Sequence, residues 1–210
     1  MKTSNQYFNE NPAALTQERT LRLSIFGMEL LFLANNGLFS CDKIDAASIL
    51  LLEQIPPLTG RLLDLGCGYG TIGIVLAKKN PITLTMSDIN RIALQYATKN
   101  AAINQVEAEI IHSDGFDNIS CKFDNISCKF DNISCKFDNI VLNPPIHAGK
   151  EVMYRLYSGA AEHLVPGGAL YIVIHKKHGA ESTLAALKEI FSEVITLHKK
   201  KGVYVFKCCR

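Results

Sequence analysis

Two short segments of the sequence combine residue types that could bind a small molecule and orient a reacting group. Residues 64–70 place three glycines directly after an apolar run and before a segment of helical length. Glycines at such a turn permit positive φ and let backbone N–H groups approach a ligand without an intervening Cβ. A second segment, Asn143-Pro144-Pro145, follows another apolar run. It offers amide and carbonyl oxygens at a stiff turn.

Three carboxylates indicate what the glycine turn binds. Asp64 lies just before the turn, where a carboxylate suits a cationic ammonium group better than a pyrophosphate. Asp88 ends the next apolar run, where an acid can accept hydrogen bonds from both ribose hydroxyls. Asp114 follows the third run, close to where an adenine amino group would lie. This acidic, amine-accepting site favours S-adenosylmethionine over a dinucleotide. The predicted cofactor-binding residues are Asp64, Gly66, Gly68, Gly70, Asp88, Ile89, Asp114 and Gly115.

The Asn-Pro-Pro segment suits a planar amine that accepts a methyl group. Such an amine needs its lone pair freed, and acceptors for its N–H bonds help to free it. The side-chain carbonyl of Asn143 and the backbone carbonyl of Pro144 can supply them, and Pro145 stiffens the turn. No strong general base is needed, because the nitrogen loses its proton easily once methylated. These three residues are the predicted catalytic residues.

The elements that must position these segments alternate along the chain. Apolar runs at 61–65, 82–87, 109–112 and 137–142 alternate with helical segments at 71–79, 91–102 and 150–164. This pattern is typical of a doubly wound parallel α/β sheet with crossover helices. After a strand at 169–174 and a helix near 180–191, runs at 194–197 and 203–207 predict an antiparallel hairpin at one end of the sheet.

The chain is predicted to be a single domain, 1–210, whose first part adds a smaller unit. Residues 22–26 and 29–33 flank Gly27 and predict an N-terminal β-hairpin. Asp45 could cap a helix that runs through Leu52, so residues 1–55 would comprise a hairpin and a helix after a loose lead-in.

Residues 64–70 resemble the first motif of class I methyltransferases, and Asp88 matches the ribose-binding acid of that family. The resemblance implies a Rossmann-like sheet of seven strands, mostly parallel with one antiparallel strand. Residues 143–150 resemble more narrowly the small-domain ribosomal RNA guanine-N2 methyltransferases, as do residues 37–40, 176–179 and 199–204. Residues 45–48 are similar to that family's Asp-x-Gly-Ser segment, with Ala47 in place of the glycine.

The resemblance implies that a methyl group passes from S-adenosylmethionine to the exocyclic N2 amine of a guanine in ribosomal RNA, free or within a ribosomal subunit. Two alternatives remain open. Protein glutamine N5-methyltransferases usually carry an aromatic residue where Ile146 stands. The second alternative is a non-catalytic cofactor-binding protein that dimerises through the repeat, and the intact Asn-Pro-Pro segment argues against it. The predicted substrate-binding residues are Phe39, Ile146, His147 and Lys150.

A tandem heptapeptide interrupts the alternation. Phe-Asp-Asn-Ile-Ser-Cys-Lys occupies 116–122, 123–129 and 130–136, and Phe-Asp-Asn-Ile recurs at 137–140. Without two of the units the connection has an ordinary length, so 116–136 is interpreted as an expansion inside a loop. Phe and Ile recur at spacings of three and four, which favours an amphipathic helix that packs on the domain or on a second copy in a homodimer. A surface insertion without function is an equal alternative.

Composition limits further which class of protein the chain can belong to. The formal net charge is only +2, so charge alone does not indicate a nucleic-acid partner, although lysines at 150, 176, 177 and 199–201 could form a local phosphate-binding face or a merely solvated one. No stretch of about 18 apolar residues occurs, and the start has no basic cluster before an apolar run. The seven cysteines form no C-x-x-C pairs with metal spacing. We therefore expect a cytoplasmic protein with reduced thiols, no metal and no membrane segment.

Overall fold

The computed structural model describes residues 18–119 and 136–210. The predicted lead-in, and the predicted helix and dimer contact of the repeat, lie outside these residues. The strands are β1 (Glu18–Ile25), β2 (Met28–Asn35), β3 (Gly60–Leu65), β4 (Ile82–Asp88), β5 (Ala108–His112), β6 (Phe137–Leu142), β7 (Leu164–His175), β8 (Glu193–Lys200) and β9 (Val203–Cys209). The α-helices are α1 (Ala46–Gln54), α2 (Thr71–Lys79), α3 (Arg91–Ile103), α4 (Lys150–His163) and α5 (Ala180–Ile190).

Seven strands form one sheet in the order β5-β4-β3-β6-β7-β9-β8. The pairs β3–β4, β3–β6, β4–β5 and β6–β7 are parallel, whereas β9 runs antiparallel to both β7 and β8. The predicted mostly parallel sheet with one antiparallel strand is thereby confirmed. The chain order reverses between β3 and β6, so the carboxyl ends of these two strands border a topological switch point.

Helices cover both faces of the sheet because neighbouring residues of each buried strand point to opposite sides. In β3, Leu62 packs in a core with residues of α1, α2 and α3, while Leu63 packs in a second core with residues of α4 and α5. Val141 and Leu142 divide in the same way in β6. Among the described residues no helix is long and apolar enough to cross a membrane.

The predicted N-terminal hairpin is also confirmed, with β1 and β2 joined at Phe26 and Gly27. It docks on α3 through two asparagines one helical turn apart. Asn100 accepts the Leu33 N–H at 2.7 Å and donates to the Leu33 carbonyl at 2.9 Å. Asn104 makes the matching pair of hydrogen bonds with Leu31, at 3.1 and 2.7 Å. The two side-chain amides therefore satisfy the outer edge of β2 as a neighbouring strand would.

The two described copies of Phe-Asp-Asn-Ile adopt different conformations. Residues 116–119 form a turn in which Phe116 stacks on His163 of α4, with ring centroids 4.4 Å apart. A Cβ on Gly159 would overlap the Phe116 ring, so this glycine makes room for it. Residues 137–140 instead open β6.

Candidate functional site

A cavity of about 510 Å³ opens at the carboxyl ends of the parallel strands. Its walls come from the loops that follow β3, β4, β5 and β6, and from the segment that leads into α1. Open α/β sheets bind ligands at this edge. The glycine turn and the Asn-Pro-Pro turn thus line one cavity, although about 70 residues of chain separate them in sequence.

The glycine turn after β3 is shaped by backbone contacts. The Cys67 N–H donates to the Ser87 carbonyl at 2.9 Å, and the Gly70 N–H donates to the Cys67 carbonyl at 3.0 Å. Gly66 has φ +68 and lies beside open space, so its backbone faces the cavity without a side chain. Gly70 has φ +92 and forms the N-cap of α2, where a Cβ would press on Ile74 and Met86.

Asp64 is placed behind the turn rather than in the cavity wall. Its side chain is 1% exposed, and its Oδ2 accepts the Gly73 N–H at 2.7 Å in the first turns of α2. Burial raises the pKa of this carboxyl group to about 7, with the nearby Asp88 contributing. What the structure shows for Asp64 is a contact that joins the end of β3 to α2, while its predicted contact with an ammonium group stays a prediction.

Asp88 lines the cavity at the end of β4. Its two carboxylate oxygens accept the Gly68 and Asn90 N–H groups, each at 2.8 Å, which fixes the carboxylate against the glycine turn. Burial raises its pKa, against the opposing effect of these hydrogen bonds. Next to it, the Ser87 hydroxyl is buried without a hydrogen-bond partner among the described residues, although Ser87 lines the cavity.

Asp114 lines the far end of the same cavity and is already paired. Its Oδ1 lies 2.5 Å from a guanidinium nitrogen of Arg155 in α4, and both side chains are about half exposed. A ligand amine that approached Asp114 would therefore share the carboxylate with an arginine. Such a pair at the surface contributes little to stability by itself.

Asn143 stands at the end of β6 with both N–H groups of its side-chain amide engaged. Its Nδ2 donates to Asp45 Oδ2 at 2.9 Å and to Ser48 Oγ at 3.0 Å. The next residue, Pro144, is buried, and its carbonyl accepts the Ile146 N–H at 2.9 Å. The turn continues as a short 3-10 helix (Ile146–Ala148) that leads into α4.

Three histidines border this end of the cavity. The ring centroids of His147 and His178 lie 6.5 Å apart, and those of His175 and His178 lie 5.6 Å apart. The buried Nδ1 of His178 has no hydrogen-bond partner among the described residues. The pKa of His178 lies below its usual value, first because of burial and then because Lys177 and the other two histidines lie nearby.

Most of the predicted site residues meet in this cavity. Those in its wall are Phe39, Gly66, Gly68, Asp88, Ile89, Asp114, Gly115, Asn143, Pro144, Pro145, Ile146 and His147. Asp64, Gly70 and Lys150 lie outside the wall: the first two shape the turn from behind, and Lys150 is exposed at the start of α4. Within the described residues there is no cluster of three potential metal ligands.

Sequence reasoning missed several residues of the wall. They are Asp45, Ser48, Ser87, Arg155, His175 and His178. The sequence predicts that Asp45 caps a helix, and it does: Asp45 is the N-cap of α1 and accepts the Ser48 N–H at 2.8 Å. Asp45 also accepts a hydrogen bond from Asn143, which lies 98 positions away in sequence, so no local pattern reveals this contact.

The sheet order, the glycine turn after β3, the acid at the end of β4 and the Asn-Pro-Pro turn after β6 together define a class I methyltransferase. The family described as Methyltransferase small domain matches residues 29–129 and 127–207, two segments that meet inside the repeat. The chain belongs to this family, as the sequence resemblance predicted.

Individual relatives are similar over most of the chain. Uncharacterized protein YbxB of Bacillus subtilis (strain 168) is 36% identical over 208 residues, 97% of this chain and 98% of that protein. Ribosomal RNA small subunit methyltransferase C of Aeromonas hydrophila is 40% identical over 150 residues, 69% of this chain and 40% of that protein. The T. thermophilus 16S rRNA N2 G1207 methyltransferase (RsmC), solved in complex with AdoMet and guanosine, has a TM-score of 0.78 and 28% identity. It matches 95% of this chain, which corresponds to 52% of the T. thermophilus chain.

Proposed function

We propose that this protein transfers a methyl group from S-adenosylmethionine to the exocyclic N2 amine of a guanine in ribosomal RNA. The observation that carries the proposal is that Asn143 lines the same cavity as the Gly66–Gly68 turn and Asp88. A cofactor held by the turn and an amine held by Asn143 would thus lie in one cavity. Proximity and orientation of this kind supply a large part of the rate enhancement in transfer between two bound molecules.

The cavity fits the cofactor in size and chemistry. Its volume of about 510 Å³ lies in the range of small-molecule sites. The unpartnered Ser87 hydroxyl and the Asp88 carboxylate offer polar groups where ribose hydroxyls would bind, and Gly66 leaves room for close approach. Ile89, Asp114 and Gly115 would border the adenine. When bound, the cofactor supplies a methyl group on a positively charged sulfur, which needs no further activation by the protein.

The Asn143 turn would hold the acceptor. The Asn143 Oδ1 and the Pro144 carbonyl are acceptors for the two N–H bonds of an exocyclic amine. The Pro144 oxygen already accepts the Ile146 N–H, but a carbonyl has a second lone pair. Hydrogen bonds to the N–H groups draw the nitrogen lone pair out of the ring system, so that it points at the methyl group.

Guanine in RNA is the acceptor that the surroundings of the turn favour. Phe39 is 54% exposed and lines the cavity, where its ring can stack on a base, and Ile146 and His147 border the same end. Lys150 would contact a phosphate next to the base. The ribosomal RNA methyltransferases that are similar to this chain, one of them solved with guanosine, support the same assignment. Such a substrate implies a cytoplasmic location.

Five exposed lysines next to the cavity support an RNA substrate, and we call them the basic rim. The Lys176 N–H donates to the Gly202 carbonyl at 2.7 Å, which places the β8–β9 turn beside the 3-10 helix that holds His178. None of the five forms an ion pair within residues 18–119 and 136–210. They are therefore available to phosphates. The basic rim consists of Lys176, Lys177, Lys199, Lys200 and Lys201.

The test is transfer of radiolabelled methyl from S-adenosylmethionine to unmodified small and large ribosomal subunits and to naked ribosomal RNA. We expect label that digests to N2-methylguanosine, and a rate about 100-fold lower for Asn143→Ala. Gln95→Ala, which truncates an exposed amide on α3, is the matched control. Label that resists RNase and remains on protein would indicate the glutamine acceptor instead. No label on either substrate, with cofactor bound, would contradict the proposal.

A further inference from the structure

The orientation of the Asn143 side chain is set by two residues from the N-terminal part of the chain. Asp45 Oδ2 accepts hydrogen bonds from the Ser48 N–H at 2.8 Å, the Ser48 hydroxyl at 3.1 Å and Asn143 Nδ2 at 2.9 Å. Asn143 Nδ2 also donates to Ser48 Oγ at 3.0 Å. The three side chains form a closed triangle in the cavity wall.

The hydrogen bonds of this triangle can run in only one direction. An ionised carboxylate has no donor, so each group that faces Asp45 Oδ2 must present a hydrogen. The Ser48 hydroxyl hydrogen is used on Asp45, which leaves the Ser48 oxygen only as an acceptor. The oxygen and nitrogen of an asparagine amide have almost the same shape, and hydrogen-bond partners decide between the two orientations. Here Asp45 Oδ2 and Ser48 Oγ both need a donor, so the nitrogen of the Asn143 amide faces them and its oxygen points away.

We propose that Asp45 and Ser48 are positioning residues for methyl transfer, which hold Asn143 with its Oδ1 turned to the acceptor amine. The inference rests on the proposed function. A flipped amide would present two N–H donors to an amine that itself needs acceptors, and would repel it. Asp45 and Ser48 touch neither cofactor nor amine in this role. They act through Asn143 and remove the unproductive orientation.

Because Asp45 Oδ2 both caps α1 and accepts from Asn143, the variants must separate positioning from folding. Asparagine caps helices about as well as aspartate. Asp45→Asn keeps the cap with its amide oxygen in the place of Oδ2, so it should also keep the Asn143 orientation. Asp45→Ala removes this acceptor together with the cap, which costs about 1 kcal/mol of stability. Ser48→Ala removes the second acceptor. Asp42→Asn makes the same chemical change at an exposed site three residues upstream and serves as the matched control.

The experiment measures kcat, KM for RNA, the dissociation constant for S-adenosylmethionine and the thermal midpoint for each variant. For Asp45→Ala and Ser48→Ala we expect kcat to fall by about tenfold or more, with cofactor affinity within about twofold of the parent. Asp45→Asn should keep a kcat near that of the parent, and its thermal midpoint should stay close to that of Asp42→Asn. Parent-like kcat in both Asp45→Ala and Ser48→Ala would overturn the inference.

Exchanging aspartate and asparagine between positions 45 and 143 provides the decisive comparison. Asn143→Asp alone sets two carboxylates against each other. Combined with Asp45→Asn it removes this repulsion, because only one of the two side chains then carries a negative charge, so the double variant should be faster than Asn143→Asp alone. Such non-additivity is the signature of a direct contact. A double variant no faster than the single one contradicts the positioning role.

The inference can be tested apart from the acceptor. Hydrogen exchange of the Asn143 side-chain NH₂, followed by nuclear magnetic resonance, should be slowed in the parent and faster in Ser48→Ala. Equal exchange would overturn the triangle whatever the substrate. Absence of methyl transfer by the parent, with the slowed exchange present, would instead contradict the proposed function and leave the triangle supported.

Discussion

The buried carboxyl group of Asp64 gives the folded protein a pH dependence of its own. Its pKa is about 7 in the folded state and 3.8 for the ordinary group. Between these values the folded chain holds a proton that the unfolded chain has released, so the free energy of unfolding falls as the pH rises across this window. The size of this fall is on the order of 4 kcal/mol.

Asp64→Asn should flatten this dependence. The asparagine oxygen can still accept the Gly73 N–H, but the residue no longer titrates. Urea unfolding of parent and variant at several values between pH 4 and pH 8 measures the difference in slope. We expect the parent to lose stability more steeply than the variant between about pH 4 and pH 7.

Asp42→Asn, at an exposed carboxylate, is the control for this comparison. Its unfolding curve should follow that of the parent across the whole range. Parallel curves for Asp64→Asn and the parent would show that Asp64 titrates normally in the folded protein, contrary to the burial observed here.

At the residue scale, sequence alone predicts the groups that sit in short local motifs. Asn143, Pro144, Asp88 and the Gly66–Gly68 part of the glycine turn are predicted in this way, and all line the cavity. The placement of Asp64 behind the turn could not be predicted, because sequence position does not tell on which side of a strand end a carboxylate lies. Partners distant in sequence, such as Asp45 and Asn143, become visible only once the fold brings them together.

At the scale of elements, the hairpin docks on α3 because two asparagines form hydrogen bonds with backbone groups of β2. Asn100 is fully buried and Asn104 is 8% exposed. A β-hairpin alone is marginal in water, so these contacts and the apolar face beneath them hold it in place.

Asn104→Ala should therefore destabilise the protein by about 1–3 kcal/mol, because it leaves the Leu31 N–H and carbonyl without their partner in a part-buried position. Denaturant unfolding gives the value. Gln95→Ala, exposed on the same helix, should change stability by less than about 0.5 kcal/mol. Equal effects of the two substitutions would show that water replaces the asparagine without cost.

The repeat leads to a second prediction about elements. Removing residues 123–136 joins the first heptapeptide directly to Phe137 and leaves both described copies of Phe-Asp-Asn-Ile intact. We expect this variant to keep the thermal midpoint and the cofactor affinity of the parent, because Phe116 remains on α4 and Phe137 remains in β6. Loss of either would show that the additional units support the fold. The same variant tests the predicted helix, which an unchanged circular dichroism signal would contradict.

Apolar runs and segments of helical length were the predictable part of the fold. Every predicted strand and helix within the described residues is present. The strands were recognisable because a strand buried on both faces must be apolar throughout. The start of β7 at Leu164 rather than at residue 169 was missed, because Pro166, Gly167 and Gly168 hide the strand. The role of Phe-Asp-Asn-Ile is beyond local prediction, since one tetrapeptide forms a turn at 116 and a strand at 137.

At the scale of the whole molecule, a net charge of +2 does not tell where the exposed lysines lie. The basic rim lies at the carboxyl edge of the sheet, beside the cavity. Lys78 and Lys188 lie in the last turns of α2 and α5, which begin at that edge and end at the opposite one. Overall charge could not predict which lysines lie beside the cavity, because their placement depends on which strand ends meet.

The rim should control the salt dependence of RNA binding. Lys177→Gln combined with Lys200→Gln should lower affinity for a small-subunit ribosomal RNA transcript and reduce the slope of log affinity against log salt by about 1–2. Lys78→Gln with Lys188→Gln removes the same charge at the opposite edge and should leave the slope near that of the parent. Equal slopes for both pairs would show that RNA approaches elsewhere.

The Phe-Asp-Asn-Ile copies at the two ends of the insertion also bear on how the gene can change. An addition or removal of whole seven-residue units would rejoin the same turn on α4 to the same first residues of β6. Both anchoring points would then be kept while the number of copies changes. The distance in sequence from Phe137 to the Asn-Pro-Pro turn after β6 stays the same at each such step.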